Sequence, residues 1–312
     1  MLSCRVLGSF LKNSTASRFA RVAPSFAQAR RETSSYLLKA VETDENERLD
    51  IQHRMNIHMM HQSLLHPSIP KNIGHVADIA TGNGTWLRDL KKARNEAPTS
   101  TTTSTKYHGF DISPALFPMQ DSPQSVADID FSVHDFYSPF PDEHIGKYDL
   151  VHARHLVLAV QGDRALTTAV KNITSLLKPG GHIQWEEYDF QYQLEKCTSG
   201  TMGSTWHIIL NWVAERGYSL TFADSVQDEL AATGLEVVEK KRFGTEGLPL
   251  SEDHRLTLIH SFWTGVPKHC LKVNGKSEEE AEAIVASCLE ELERGVLLDY
   301  YMSRVVARRP VG

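Results

Sequence analysis

One short stretch of the sequence decides the fold class. It begins with Gly74-His75-Val76-Ala77-Asp78-Ile79-Ala80 and continues directly into Thr81-Gly82-Asn83-Gly84. The first part has the composition of a buried strand, and the glycines after it predict a tight turn. Beyond the turn, Trp86, Leu87 and Leu90 recur at helical spacing. A strand, a glycine turn and a helix in this order open a doubly wound α/β sheet.

Predicted strands and helices alternate along the rest of the chain. Further strands are expected at residues 107–112, 131–134, 148–151, 181–185, 235–243 and 301–307, with a Leu-Lys-Pro-Gly-Gly turn at 177–181. Helices are expected at residues 44–65, 164–177, 200–217 and 251–263, and after the capping box Ser277-x-x-Glu280. Alternation of this kind favours a mainly parallel sheet with helices on both faces.

Length and composition limit the class of protein. The chain has 312 residues, of which 41% are hydrophobic and 23% charged, as in an ordinary globular protein of one large or two small domains. The longest unbroken apolar run is Leu156–Val160, and a bilayer-spanning helix needs about 20 such residues, so no membrane span is expected. The four cysteines are widely separated, which argues against a disulfide framework or a structural zinc site.

Charge is distributed unevenly along the chain. Residues 1–31 hold six basic side chains and no acidic one, so the remainder of the chain has 27 basic and 39 acidic residues. An acidic body repels a phosphate backbone, which makes nucleic acid a poor candidate partner. The basic extension, residues 1–35, has the composition of a mitochondrial presequence and equally of a disordered tail without an address. Either way it is not expected to form part of the fold.

Acidic side chains stand at the ends of successive predicted strands. Asp78 precedes the glycine turn, Asp111 ends the next strand, and Asp135-Phe136 follows the third. At the carboxyl edge of such a sheet, the turn at Gly82–Gly84 lets the backbone approach a ligand closely. Asp111 can accept ribose hydroxyls, Asp135 an adenine amino group, and Phe136 can cover the ring. Because Asp78 can counter an ammonium directly or through water, the set predicts an S-adenosylmethionine pocket.

A family resemblance supports this interpretation. The segments that carry it are 76–86, Gly109-Phe110-Asp111-Ile112-Ser113, His134-Asp135 with Pro139-Phe140-Pro141, 147–154 and 177–187. They resemble the successive motifs of class I methyltransferases. More narrowly, with Glu47–His53 and Val305–Pro310, they are similar to the fungal secondary-metabolism group related to the global regulator of those pathways.

The resemblance covers residues 36–310 and implies a single methyltransferase domain at 36–312. Its fold would be Rossmann-like, with a mainly parallel seven-stranded sheet and an added helical lid at about 200–217 and 251–299. The implied cofactor is S-adenosyl-L-methionine. The residues expected to bind it are Asp78, Ala80, Gly82, Gly84, Asp111, Ile112, Asp135, Phe136 and His152.

Two departures from common nucleotide-binding patterns affect the choice of cofactor. Ala80 takes the first position of the usual G-x-G-x-G, which such methyltransferases often tolerate. Asp78 and Asp111 are 33 residues apart, against about 20 in dinucleotide folds, and the Ser/Thr-rich loop at 99–105 accounts for the excess. A nicotinamide enzyme is therefore disfavoured, and the missing G-x-x-x-x-G-K-[ST] excludes a P-loop enzyme.

Candidate catalytic residues follow the fourth and fifth strands. Methyl transfer to oxygen or nitrogen requires loss of a proton, which a histidine near neutral pKa can accept. His155 is the first candidate for this general base, followed by His152, with Glu186 and Glu187 as further options. Each of them has an alternative role in packing or in the framework under the cofactor. The histidines at 53, 58, 61 and 66 lack a carboxylate that completes a ligand set, so no metal site is expected.

The acceptor is expected to be a small, apolar or aromatic molecule. In this fold inserted helices roof the acceptor site, and Trp206, Phe262 and Trp263 would line a hydrophobic pocket there. The leading prediction is methylation of oxygen or nitrogen on a small metabolite. Two alternatives stay open, a regulatory protein that keeps the fold and a cofactor-binding enzyme that catalyses a non-methylation step such as a cyclisation. The sequence leaves the acceptor atom and the oligomeric state open.

Overall fold

The computed structural model describes residues 45–95, 105–118, 128–196, 200–249, 251–263 and 266–312. The N-terminal extension and the Ser/Thr-rich loop, Thr105 excepted, lie outside these ranges. Over the described residues, no helix is both long and apolar enough to cross a bilayer.

The described chain is built around one seven-stranded sheet. Its spatial order is β3-β2-β1-β4-β5-β7-β6. The first five strands are parallel, and β7 runs antiparallel between β5 and β6. The strands are β1 (His75–Ile79), β2 (Lys106–Asp111), β3 (Ile129–Val133), β4 (Tyr148–Arg154), β5 (Leu177–Tyr188), β6 (Glu236–Gly244) and β7 (Tyr301–Arg308). The mainly parallel sheet expected from the sequence is therefore confirmed.

Nine helices accompany these strands within the described ranges. They are α1 (Glu45–Met59), α2 (Thr85–Asn95), α3 (Asp163–Ser175), α4 (Phe190–Lys196), α5 (Gly200–Glu215), α6 (Phe222–Ala232), α7 (Glu252–Trp263), α8 (Val266–Val273) and α9 (Glu278–Glu293). Short 3₁₀ turns occur at Pro114–Leu116 and Asp142–His144. The capping box at Ser277 and Glu280 is formed as predicted.

The two faces of the sheet are covered differently. On one face, alternate residues of the central strands pack against the apolar stripes of α3 and α6. On the other face, Trp86, Leu87 and Leu90 of α2 pack on Val76 and Leu150. Beside α2, α1 and the loop after it cover the carboxyl half of β5 and the amino half of β7, which pairs with it in the antiparallel direction. Arg304 of β7 donates to the Ser63 carbonyl in this loop at 2.6 Å. This second face carries the polar residues described below.

Two predicted boundaries differ from the structure. The first helix, expected over 44–65, ends at Met59 because His61 and Gln62 adopt left-handed φ values of 56° and 62°. The Leu-Lys-Pro-Gly-Gly segment, expected as a turn, belongs to β5. Leu177 pairs with Tyr148 and the register shifts before Leu150, so the sheet absorbs the segment as an irregularity. The predicted roof at 251–299 is divided into α7, α8 and α9.

Candidate functional site

The carboxyl ends of the central strands meet at one edge of the sheet. Asp78 lies in register with Gly109 on one side and with His152 on the other. The Thr81 amide donates to the Phe110 carbonyl at 3.0 Å, and the His134 amide to the Asp111 carbonyl at 2.8 Å. The residues that the sequence places at four strand ends are thus brought to the same edge.

The turn after β1 brings the backbone into close contact with its neighbours. Gly82 and Gly84 have φ values of 56° and 72°, which favour glycine. A Cβ on Gly84 would lie 2.7 Å from the Phe131 ring, and one on Gly82 would lie 3.1 Å from Leu49. Ala80 also adopts a left-handed φ, 55°, despite its Cβ. The edge of the sheet therefore presents a turn without side-chain bulk.

Asp111 is held at the end of β2 by two backbone amides. Its Oδ2 accepts from the Gly82 amide at 2.9 Å and its Oδ1 from the Ser113 amide at 3.0 Å. Burial raises the pKa of Asp111 above its ordinary value, and these hydrogen bonds oppose that effect. Each oxygen keeps acceptor capacity for a ligand hydroxyl. Ile112 and Val133 beside it are 44% and 57% exposed, which leaves apolar surface at the same edge.

Asp135 and Phe136 form a compact turn after β3. The Asp135 carboxylate accepts from the Tyr137 amide at 3.0 Å, and the Phe136 ring lies 4.6 Å from the Tyr137 ring. Asn172 of α3 donates to the Phe136 carbonyl at 3.0 Å. Both predicted residues are half-buried and follow the strand beside Asp111.

Asp78 is buried in a polar cluster beneath the turn. Its Oδ1 lies 2.7 Å from Nδ1 of His152, and its Oδ2 accepts from the Thr81 hydroxyl at 2.6 Å. Nε2 of His152 faces Glu186 at 3.5 Å, and the Trp86 ring stacks on the imidazole at 3.7 Å. His152 is 1% exposed. The predicted residues Asp78 and His152 therefore lie together, with their polar atoms directed at each other and at Thr81 and Glu186.

Glu186 is held ionised in the same cluster. It accepts from Arg304 at 2.9 Å and from the Gln184 amide at 2.7 Å. Burial alone would raise the pKa of Glu186, but Arg304, His152 and Arg154 together hold it well below its ordinary value. Sequence reasoning missed Arg304. The available signal was a charged residue inside a predicted apolar strand, because a buried charge requires a buried partner.

Glu187 fixes the loop after β4. Its carboxylate accepts from the Leu156 amide at 2.7 Å, the Val157 amide at 3.2 Å and the Trp185 indole at 2.7 Å. Burial raises the pKa of Glu187 to about 8, and the three donated hydrogen bonds oppose that rise. The loop fixed in this way carries His155.

His155 stands at the point where β4 leaves the sheet, with a left-handed φ of 60°. Its amide donates to the Glu186 carbonyl at 3.0 Å, and its ring stacks on Tyr188 at 4.4 Å. Nε2 lies 2.8 Å from the amide nitrogen of Asn56 on α1. Burial lowers the pKa of His155 well below its ordinary value. Sequence reasoning missed Asn56, because its polar side chain gives no sign of its partner 99 residues away.

The histidines and aromatic residues singled out in the sequence outside this cluster have separate contacts. Among the described residues, no group of histidine, cysteine and carboxylate side chains could hold a metal ion. His53 binds Asp89 at 2.9 Å, and His58 contacts the Pro249 carbonyl at 3.3 Å. Trp206 of α5 is 9% exposed and meets the Tyr300 ring edge-on at 5.9 Å. Phe262 and Trp263 belong to α7, and their side chains lie outside the described residues.

Comparison with known proteins identifies the family. The chain matches the family model described as a methyltransferase domain over residues 28–240. It is 33% identical over 281 residues to the methyltransferase grgD of a Penicillium species, covering 88% of this chain and 96% of that protein. It is 33% identical over 230 residues to the methyltransferase psoC of Aspergillus fumigatus, covering 70% and 76%. It is 35% identical over 206 residues to the N-methyltransferase sirN of Leptosphaeria maculans, covering 66% and 68%.

The chain belongs to the methyltransferase-domain family. It is an S-adenosyl-L-methionine-dependent methyltransferase that acts on a small metabolite, and the names and fungal origins of its relatives fit secondary metabolism. The comparisons lend no support to the regulatory or cyclising alternatives. The residues present also fit the cofactor, since a bare glycine turn, a carboxylate with free acceptor capacity and exposed apolar side chains share one edge of the sheet.

Proposed function

We propose that this enzyme methylates a nitrogen atom of an apolar or aromatic metabolite, with His155 as general base. Support for nitrogen comes from relatives that are named N-methyltransferases, among them sirN. Support for an apolar acceptor comes from Trp206 and Tyr300, which α5 and the segment before β7 place against each other. The observation that carries the proposal is the position of the half-buried His155 side chain at the strand-end edge.

The cofactor would be held by the turn and strand ends. S-adenosyl-L-methionine supplies a methyl group on a sulfonium, which is already an activated leaving group. Asp111 would accept the ribose hydroxyls, while Ile112 and Phe136 would offer apolar surface to the adenine and Asp135 would accept from its amino group. The backbone at Ala80, Gly82 and Gly84 would approach the amino-acid part. Asp78 is 3% exposed and would counter the ammonium through water, with His152 supporting it from below.

His155 would take the proton that the acceptor loses. Burial first, and then Arg154, lower the pKa of His155, so its imidazole is neutral at pH 7 and able to accept a proton. His152 is less suited to this role because both of its ring nitrogens face carboxylates. Glu186 is less suited because its carboxylate already accepts hydrogen bonds from Arg304 and Gln184.

A labelling experiment tests the proposed acceptor. The enzyme is incubated with methyl-d3 S-adenosylmethionine and a heat-treated extract of small molecules from a fungal culture, and mass spectrometry locates the label. We expect labelled product with the deuterated methyl on nitrogen, and a loss of about 10²–10⁴ in rate with His155→Gln. Label on oxygen or carbon would contradict the nitrogen assignment, and an undiminished rate in His155→Gln would contradict the base.

We also propose that residues 1–35 direct the protein to mitochondria, on the basis of their basic, Ser- and Ala-rich composition. These residues lie outside the described part of the chain. A fluorescent reporter fused behind residues 1–35 should colocalise with a mitochondrial marker, and a diffuse cytosolic signal would contradict the proposal.

A further inference from the structure

One charged group of S-adenosyl-L-methionine still needs a counter-ion at the proposed cofactor site. The adenosine would lie at the ends of β2 and β3, where Asp111 and Asp135 follow their strands. The amino-acid part, which carries an ammonium and a carboxylate, would extend across the glycine turn toward β4. Asp78 would counter the ammonium, which leaves the carboxylate to be matched by a cation.

Arg154 stands on the β4 side of the glycine turn. It is the last residue of β4, and Ala153 before it lies in register with Ile79, the last residue of β1. Asp111 stands on the other side of the turn, since its carboxylate accepts from the Gly82 amide at 2.9 Å. A ligand whose ribose meets Asp111 and whose chain crosses the turn would therefore extend toward Arg154.

The guanidinium of Arg154 uses few of its donors within the protein. Its side chain is 12% exposed, and its one hydrogen bond to the described residues runs from Nη1 to Nδ1 of His53 at 3.1 Å. Glu186 lies 4.0 Å from the same nitrogen, which is beyond hydrogen-bond distance. A guanidinium carries several further N–H groups in a planar fork, and here these have no partner in the described part of the chain.

Two other arginines near this edge are already bound to carboxylates of the protein. Arg48 of α1 donates to both carboxylate oxygens of Glu45, at 2.8 and 2.7 Å. Arg88 of α2 pairs with Asp50 at 2.8 Å. Arg154 is therefore better placed than either of them to receive a carboxylate from a ligand.

His53 of α1 fixes the direction of the Arg154 side chain. Because an arginine only donates hydrogen bonds, Nδ1 of His53 accepts from it, and because the Asp89 carboxylate only accepts, Nε2 donates to it at 2.9 Å. These two contacts require a neutral ring with its hydrogen on Nε2. Burial lowers the pKa of His53, and Arg154 adds to this effect while the hydrogen bond to Asp89 opposes it. The ring is therefore neutral at pH 7, as the contacts require.

We propose that Arg154, oriented by His53, binds the carboxylate of the amino-acid part of S-adenosyl-L-methionine. This inference rests on the proposed position of the cofactor at the strand ends. A guanidinium matches a carboxylate with two parallel hydrogen bonds, which makes the pairing both strong and directional. His53 acts through Arg154 and is a positioning residue.

Calorimetry with two ligands that differ only in the carboxylate tests the inference without an acceptor. The full chain is titrated with S-adenosylmethionine and with its decarboxylated form, which keeps the adenosine, the sulfonium and the ammonium. The carboxylate preference is the dissociation constant of the decarboxylated form divided by that of S-adenosylmethionine. We expect a preference of about tenfold or more in the wild type and a loss of about tenfold in Arg154→Gln. The decarboxylated form should bind Arg154→Gln no more weakly than the wild type.

Two variants of His53 test its positioning role. His53→Leu should lower the carboxylate preference, because Arg154 loses the contact that directs it. His53→Gln keeps an acceptor for Nη1 and should retain a larger part of the preference. A wild-type preference in His53→Leu would remove the positioning role. If Arg154→Gln does not fold, Arg154→Lys supplies the same readout, because lysine keeps the charge but cannot form the paired hydrogen bonds.

Arg48→Gln is the matched control, since it removes a like charge from the neighbouring α1 and leaves Arg154 in place. It should leave the carboxylate preference unchanged. An unchanged preference in the Arg154 variants would overturn the inference, as would an equal fall in Arg48→Gln. A carboxylate on the acceptor is the other source of this chemistry, and if Arg154 binds that group instead, the preference stays at its wild-type value.

Failure of the proposed cofactor position is recognised separately, with Asp111→Asn. Both ligands contain the ribose, so this variant should bind both more weakly and keep the carboxylate preference. If it binds both ligands like the wild type, the proposed position is wrong. If it weakens both while Arg154→Gln keeps the preference, only the assignment of Arg154 fails.

Discussion

Asp111 is the residue on which the proposed cofactor contact depends most directly. Asp111→Asn keeps the size of the side chain but removes its charge, and hydrogen bonds to a charged acceptor are the stronger ones. We expect calorimetry to show S-adenosylhomocysteine binding weakened about tenfold, or about 1.4 kcal/mol. Because binding uses the ionised form and burial raises the pKa of Asp111, wild-type affinity should fall as the pH is lowered, and the variant should lose this dependence.

Asp130→Asn is the matched control for that experiment. Asp130 lies on the adjacent strand β3 and is exposed, so its variant should bind S-adenosylhomocysteine like the wild type. Equal affinities of the Asp111 variant and the wild type would remove Asp111 from the proposed site.

Ala80 provides a test of backbone strain in the turn. A left-handed φ costs an alanine about 1–2 kcal/mol, whereas glycine adopts it freely at the cost of a more flexible unfolded chain. Ala80→Gly should therefore raise the melting temperature by about 2 °C in a thermal unfolding experiment. Ala77→Gly, three residues earlier in β1, should lower it, since Ala77 is fully buried and its φ is not positive. A lower melting temperature in both variants would show that Ala80 is unstrained.

At the scale of elements, α1 contacts both the proposed cofactor edge and α7, which belongs to the predicted roof. Asp50 accepts from Asn83 in the glycine turn at 2.9 Å and from Arg88 at 2.8 Å. Four residues further on, Arg54 pairs with Asp253 of α7 at 2.8 Å. The first contact is expected to fix the turn and the second to orient the roof.

Substitutions at these two positions of α1 separate the two contacts. Asp50→Ala should weaken S-adenosylhomocysteine binding about tenfold, which corresponds to about 1.4 kcal/mol, because Asn83 in the turn and Arg88 in α2 each lose a hydrogen bond. Arg54→Ala breaks an exposed pair of small energetic value and should leave this affinity unchanged. Titration calorimetry on both variants decides the matter. Comparable losses would mean that α1 acts on the site as a rigid whole, contrary to this division.

At the scale of the whole molecule, the local sequence pattern predicted the strands of the sheet. It did not predict the side-chain contacts between residues that lie far apart in the sequence. The glycine turn, Asp78 and Asp111 are recognisable because their positions depend on one strand and the turn beside it. Arg304 and Asn56 are not, since each acquires its role from a partner about 100 residues away. The end of α1 at Met59 was missed for the same reason, because Arg304 and Gln184 bind the backbone of the loop that follows.

The Glu186–Arg304 pair joins β5, the C-terminal strand and the loop after α1, so its loss should affect the stability of the whole chain. Arg304→Met leaves a buried carboxylate without its main cation and should destabilise the protein by about 3–5 kcal/mol in urea unfolding at pH 7. In the wild type the pKa of Glu186 is depressed, so its contribution is present above the ordinary value of 4.5 and is lost as the pH falls through the folded value. In the variant we expect that pKa to rise, so the stability deficit relative to the wild type should shrink as the pH is lowered.

Arg308→Met, on the same strand, is the matched control. It breaks only an exposed pair with Glu236 and should change stability by less than about 1 kcal/mol at any pH. A deficit in Arg304→Met that is constant with pH would show that Arg304 stabilises the fold by packing and not by its charge.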